Sequence, residues 1–345
     1  MSFEPRCLAT AIGSLPHAKP QDAVRVILDS IPDAPIWPQL PANGLQEQME
    51  VQYSEGLPRV VIDADKQRMF IDTSGDTSAE LAAFYERFVA EDVDSFQITP
   101  AFSKGIPAML AALTAAGGKR PYVKVQTTGP ISFGLTIVDE NKRAIYYNAD
   151  FIDAVVKALA MKCRWQIRQF RKFAERVICF IDEPILSAFG SSTYVSVTRD
   201  DVVARLSEVV EAVHAEGALA GVHCCGNTEW SILIDAGVDI VNFDAFDYGE
   251  TIALYPEAVK RHLEKGGALA WGIVPTTKIQ GQTVASLVDK FSGLVGNLAK
   301  AANIDRSLIE RQALITPSCG TGSLPVPDAE KVFTVLRETS AALRR

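Results

Sequence analysis

No run of lysine and arginine occurs in the 345 residues, and acidic residues outnumber basic ones by 42 to 34, a formal net charge of -8. That balance argues against a nucleic-acid partner, which clustered cations would have to hold. No stretch approaches the ~20 apolar residues that span a bilayer. The first twenty residues carry Arg6 and a short apolar segment broken by Gly13 and Pro16, unlike a secretory signal. A cytoplasmic protein without membrane contact is therefore expected. Gly/Ser linkers, low-complexity segments and internal repeats are also missing, so one domain over 1–345 is expected. The six cysteines are too irregularly spaced for a disulfide framework. Histidine is scarcer still, with only His17, His214, His223 and His262.

What is present is a core-forming composition, 48% hydrophobic and 22% charged. Short runs rich in Val and Ile at 122–126, 177–181, 219–223, 239–243, 269–273 and 313–316 alternate with stretches of helical period. Near-continuous apolar runs suit parallel strands buried on both faces. Helices are predicted at 150–173, at 198–215 with Thr198 and Asp201 in capping-box spacing, at 283–302, and at 328–343 after Pro327. Earlier strand candidates lie at 8–12, 36–40 and 96–99, and 59–72 reads as a hairpin. Without the hairpin that makes nine candidates. The expectation is an α/β fold, a closed (β/α)8 TIM barrel, with one of the first three candidates outside it and the hairpin capping its bottom or side. A doubly wound open sheet is the second choice.

Polar clusters fall where these strands end: Gly13-Ser14, Thr127-Thr128-Gly129-Pro130, Asp182-Glu183-Pro184, His223-Cys224-Cys225, Asp244 and Ser318-Cys319-Gly320. In a parallel barrel those ends share one face, where loops build the active site. Strand residues two apart point the same way, so His223 and Cys225 present a nitrogen and a sulfur to one point while Cys224 faces elsewhere. Cys319 supplies a third soft donor from another strand end, a set that favours Zn2+ over Mg2+ or Ca2+. Asp244 is a candidate fourth, oxygen ligand. Of the adjacent carboxylates Asp182 and Glu183, alternation sends one into the site and the other to a helix or loop. Ser14 offers donors to a carboxylate. Cys7, Cys163 and Cys179 stand alone in apolar or helical settings and read as small core residues.

Taken in order, Ile12-Gly13-Ser14, Asp182-Glu183-Pro184, His223-x-Cys225 and Pro317-Ser318-Cys319-Gly320 resemble the catalytic domain of cobalamin-independent methionine synthase, within the wider uroporphyrinogen decarboxylase-like barrel superfamily. The resemblance covers almost the whole chain. It implies a barrel whose zinc binds homocysteine through sulfur, with His223, Cys225 and Cys319 as ligands. The family's glutamate ligand falls at Asp244, one methylene shorter. Substrate-binding positions carry over to Ile12 and Ser14 for the amino-acid carboxylate and to Asp182 for its ammonium. A second substrate-binding glutamate stays open among Glu47, Glu50 and Glu55.

Two departures bear on the methyl donor. The long family members carry an additional N-terminal barrel, for which 345 residues leave no room. Folate-using members also carry a histidine after the strand that here ends near Ile273, where this chain reads Gly272-Ile273-Val274-Pro275-Thr276-Thr277. His17 is the one uncommitted histidine near the active face. The chain is thus similar to short "core" methionine synthases, and the resemblance implies methylcobalamin or a methyl-corrinoid protein as donor. Competing expectations are a methyl-corrinoid transferase serving another thiol, such as coenzyme M, a porphyrinogen decarboxylase, and a non-enzymatic zinc-binding protein.

Overall fold

A computed structural model describes residues 3–194 and 196–345. Its strands are β1 (Leu8–Ala9), β2 (Val60–Asp63), β3 (Arg68–Ile71), β4 (Arg120–Thr128), β5 (Ala174–Asp182), β6 (Leu219–Cys224), β7 (Ile240–Phe243), β8 (Ala268–Val274) and β9 (Ala313–Pro317). All but β2 and β3 form one parallel sheet in the order β1-β9-β8-β7-β6-β5-β4. Its two edges are joined by the extended segment 36–39: Ile36 bridges Lys124 of β4, and Gln39 bridges Ser14 just beyond β1, both in parallel sense. Backbone bonds secure it, Lys124 N to Pro35 O at 2.8 Å and Leu15 N to Gln39 O at 2.9 Å. Seven strands and this stave close an eight-membered α/β barrel.

The early candidate left outside the barrel is 96–99. A strand there would need free backbone groups, and side chains have taken them. Lys162 donates to the carbonyls of Phe96 and Gln97, and Glu55 accepts from the N–H and hydroxyl of Thr99. The predicted hairpin is β2–β3, paired antiparallel from Val60↔Ile71 to Asp63↔Arg68. It is tied to the segment after the helix Pro130–Thr136 through Ile71↔Asp139 and Thr73–Glu140.

Period-two alternation sorts the strand residues. Ile178, Phe180, Leu219, Ile240, Ala270 and Leu314 fill the barrel interior, while Val177, Cys179, Val222, Val241, Phe243 and Trp271 pack outward under the helices. The outer layer includes Ala149–Phe170, whose first turn is capped by the Asn148 side chain, and Arg199–Ala215, capped by Thr198. Val284–Ala302 opens with a complete capping box between Thr283 and Ser286. No helix among the described residues is long and apolar enough to cross a membrane.

Candidate metal centre

The inward face sets the site. Asp182 of β5 is in register with His223 of β6, which is in register with Asn242 of β7. These side chains therefore stand side by side at the C-terminal mouth of the barrel. Cys225 follows one residue past β6 with the same parity as His223. Cys224 joins the outer apolar layer, and its thiol donates to Gly226 O. Cys319 arrives two residues beyond β9.

One ligand atom from each of His223, Cys225 and Cys319 lies within 4.8 Å of the others. A tetrahedral zinc with Zn–S of about 2.3 Å and Zn–N of about 2.0 Å needs separations of roughly 3.3 to 3.8 Å, within reach of small side-chain adjustments. The imidazole is already oriented for this. His223 Nδ1 lies 2.6 Å from Asn242 Oδ1, and the Asn242 amide nitrogen donates to Ala270 O at 2.8 Å and to Thr316 Oγ1 at 2.9 Å. With the Asn242 nitrogen committed, its oxygen must accept, so Nδ1 carries the proton and Nε2 keeps its lone pair. Nε2 is buried and has no hydrogen-bond partner.

The Cys225 thiol is pulled well below its ordinary pKa, first by the Cys319 thiol donating to it and then by His223. Cys319, as that donor, is pushed up. In the absence of metal the Cys225 sulfur and the His223 imidazole share a proton, which despite its burial raises the imidazole in turn, and a site where one proton bridges an imidazole and two sulfurs is one a soft divalent cation can take over.

Asp244 is not brought into this group. Its Oδ1 accepts from the N–H groups of Phe246 and Asp247 at 2.9 Å each, capping the short helix Ala245–Tyr248. Aspartate reaches less far than glutamate, and the cap holds its carboxylate over its own turn.

Beside the metal group lies a cavity of about 540 Å3 lined by Ile12, Ser14, Glu47, Asp182, His223, Cys225 and Cys319 among others. Every expected site residue except Asp244 faces it. Asp182 is buried, its Oδ1 has no partner, and burial pushes its pKa up to about 6 against the opposing charges of Lys124 and His223. The neighbouring Glu183 turns to the helix Pro130–Thr136, accepting from Ile131 N, Ser132 N and Ser132 Oγ at 2.7 to 2.9 Å. Gly129 makes room for it, since a Cβ there would fall on the Glu183 carboxyl group.

Of the three open glutamates, Glu47 lines the cavity. Its Oε1 accepts from Lys104 N at 2.9 Å while Oε2 is buried and unpartnered, and burial raises its pKa. Glu55 is spent on Thr99, and Glu50 does not reach the cavity. Ser14 Oγ accepts from Gly322 N at 3.2 Å, which leaves its hydrogen free to donate. Gly320 lets that loop close down, because a Cβ there would strike Ser14 Oγ.

Sequence reasoning passed over Asn242 and Lys124. Each is a polar residue inside an apolar strand run, Ile-Val-Asn-Phe and Val-Lys-Val, and that interruption is the signal that finds them. Lys124 is fully buried and donates to Ile12 O and Gln126 Oε1, with Nζ 4.6 Å from the Phe180 ring centroid. Burial brings its pKa down to about 8. His17 is away from the cavity, its Nε2 3.4 Å from Glu330 Oε1 on the C-terminal helix.

The chain matches no family model and no curated protein sequence. Among solved structures it is similar to a methyltransferase from Methanosarcina mazei, with 14% identity and a TM-score of 0.56 over 98% of this chain and 94% of that one. A xylose isomerase-like TIM barrel/4-hydroxyphenylpyruvate dioxygenase fusion protein overlaps 65% of this chain and 38% of its own at 14% identity and a TM-score of 0.30. The first likeness establishes the barrel fold.

Proposed function

We propose that the protein is a zinc-dependent methyltransferase that converts homocysteine to methionine, with His223, Cys225 and Cys319 as the metal ligands and a methyl-corrinoid as donor. The observation that carries this reading is the shared cavity, lined by the three soft donors and by Asp182 and Glu47, each of which keeps one buried carboxylate oxygen, Oδ1 and Oε2, without a partner. An unpaired buried acceptor is costly, and a substrate ammonium relieves both. The free hydroxyl hydrogen of Ser14 then serves the substrate carboxylate. An amino acid held at those points has its side chain in the same space as the ligand group. When bound, the metal supplies a Lewis acid that keeps a thiol ionised at neutral pH. Asn242 fixes the imidazole tautomer, and the short reach of Asp244 leaves the fourth position to the substrate.

The class of the similar Methanosarcina mazei protein, a methyltransferase, agrees with this reading. A sulfonate thiol such as coenzyme M would leave Asp182 and Glu47 without an ammonium. A decarboxylase would leave the ligand group without a task. A zinc-storing protein would need no amino-acid pocket. The deciding experiment incubates zinc-loaded protein with homocysteine and methylcobalamin and measures methionine; none formed, with donor and acceptor both shown to bind, removes the reading.

Asp182→Asn tests the ammonium site. A charge-assisted bond becomes a neutral one, about 1 to 3 kcal/mol weaker, so homocysteine affinity should fall roughly 5- to 150-fold with zinc content unchanged. Unaltered affinity in a calorimetric titration returns Asp182 to a structural role. Asn242→Ala should weaken zinc binding about 10- to 100-fold in a chelator competition, as expected when a ligand histidine loses its orienting partner. Wild-type competition would mean that packing alone orients His223.

A further inference from the structure

Among the described residues two lysines are fully buried, and their surroundings differ. Lys162, on the outer helix Ala149–Phe170, donates to the carbonyls of Phe96 and Gln97 and so holds a segment outside the barrel. Lys124 stands inside it. Its Cα is in register with Ile178, so its side chain shares the interior face. From there the ammonium reaches across the seam of the barrel to the carbonyl of Ile12, a residue of the cavity wall. The rest of the ammonium is met by Gln126 Oε1 at 3.2 Å and by the Phe180 ring. Every one of these partners is neutral.

A buried cation that contacts no carboxylate is costly. Burial lowers the Lys124 pKa, yet only to about 8, so the side chain is still charged at neutral pH. The field of Asp182 helps to keep it so, although the two form no ion pair. A neutral donor would join Ile12 to Gln126 without that cost, so the charge itself has a task.

The cavity supplies one. Its wall carries Asp182, Glu47, Cys225 and Cys319 and, among the described residues, neither lysine nor arginine. Such a wall suits an ammonium and repels a carboxylate, whereas an amino acid brings both. For the carboxylate there is the Ser14 hydroxyl, a neutral donor two residues beyond Ile12. Bonded to Ile12 O, the Lys124 ammonium puts a positive charge behind that same stretch of wall. We propose that Lys124 is a positioning residue for the substrate carboxylate: from behind Ile12 it offsets the negative wall and draws the carboxylate to the Ser14 end, leaving the ammonium to Asp182 and Glu47. It acts through its field and through the peptide it holds, without touching the substrate. The inference rests on the amino-acid pocket proposed above and adds what orients the amino acid within it.

Calorimetric titration of zinc-loaded protein with homocysteine and with 3-aminopropane-1-thiol, the same molecule without its carboxylate, tests the assignment. Lys124→Met should lose roughly 5- to 30-fold in homocysteine affinity, the scale of one charge acting over about 8 Å through a medium of intermediate dielectric. Its affinity for the aminothiol should stay level or rise, because a cation that opposed the ammonium is gone, and its zinc content should stay full. Should Lys124→Met not fold, Lys124→Gln, whose amide can still donate inside the barrel, carries the same comparison. Equal losses for the two ligands overturn the proposal, since they mark a residue that only shapes the wall or only balances Asp182. Unchanged affinity for both, in a wild type that binds homocysteine, removes this inference alone. A wild type that binds neither ligand removes the amino-acid pocket and this inference with it.

Discussion

The protein should purify with about one zinc per chain, and Cys319→Ser and Cys225→Ser should each strip most of it. Three donors are drawn from two strand ends, and each cysteine is a third of the set. Serine is nearly isosteric, but its hydroxyl is neutral at neutral pH and a hard donor, so the site loses a charge and a soft ligand together. The affinity loss should exceed the ~10- to 100-fold typical of removing a group that merely orients a ligand. Both cysteines are half-buried at the rim of the barrel, so circular dichroism should report an unchanged fold. Full zinc in both variants by metal analysis would remove the central claim. Asp244→Ala makes the contrast: it should keep its zinc and instead lose about 0.5 to 2 kcal/mol of stability, the usual cost of deleting a helix cap.

The contrast between Cys319 and Asp244 shows what a linear sequence reveals. Parity along a strand is a local property, so the convergence of His223 and Cys225, with Cys224 turned away, was legible before any coordinates. The same rule separated Asp182 from Glu183, although only the structure shows which helix Glu183 serves. The eight-membered barrel was legible from the apolar runs, but the odd candidate among 8–12, 36–40 and 96–99 was not. Its exclusion depends on Lys162 and Glu55, which lie 66 and 44 positions from their backbone partners. Distance in sequence also hid Glu47 among three glutamates, since what singles it out is a place in the cavity wall and a buried oxygen without a partner. Asp244 stands apart from the three donors. Sequence position brought it to the expected strand end, while the N-cap that occupies its Oδ1 could be read only from the structure. Asn242 and Lys124 were visible as polar breaks in apolar strands, but their partners lie on neighbouring staves and cannot be read along one.

Methyl transfer from methylcobalamin should run about 10²- to 10⁴-fold faster than from methyltetrahydrofolate, the range that general-acid assistance usually contributes. Methyl leaves cobalt with no proton required, whereas a folate nitrogen departs poorly unless it is protonated. The structure narrows the possible acids. The turn 272–277 has no histidine. His17, the one other candidate, is buried against Glu330 and does not line the cavity. Asp182 and Glu47 do line it, but once they hold the substrate ammonium both are ionised and can accept a proton without having one to give. Single-turnover rates with each donor, in the native protein and in His17→Ala, measure the ratio directly. His17→Ala should leave both rates within a small factor of native, because its imidazole meets Glu330 of the C-terminal helix and does not line the cavity. Folate turnover that matches methylcobalamin in both proteins would place an acid where neither the sequence nor the barrel mouth has one, and the assignment of the donor would fall with it.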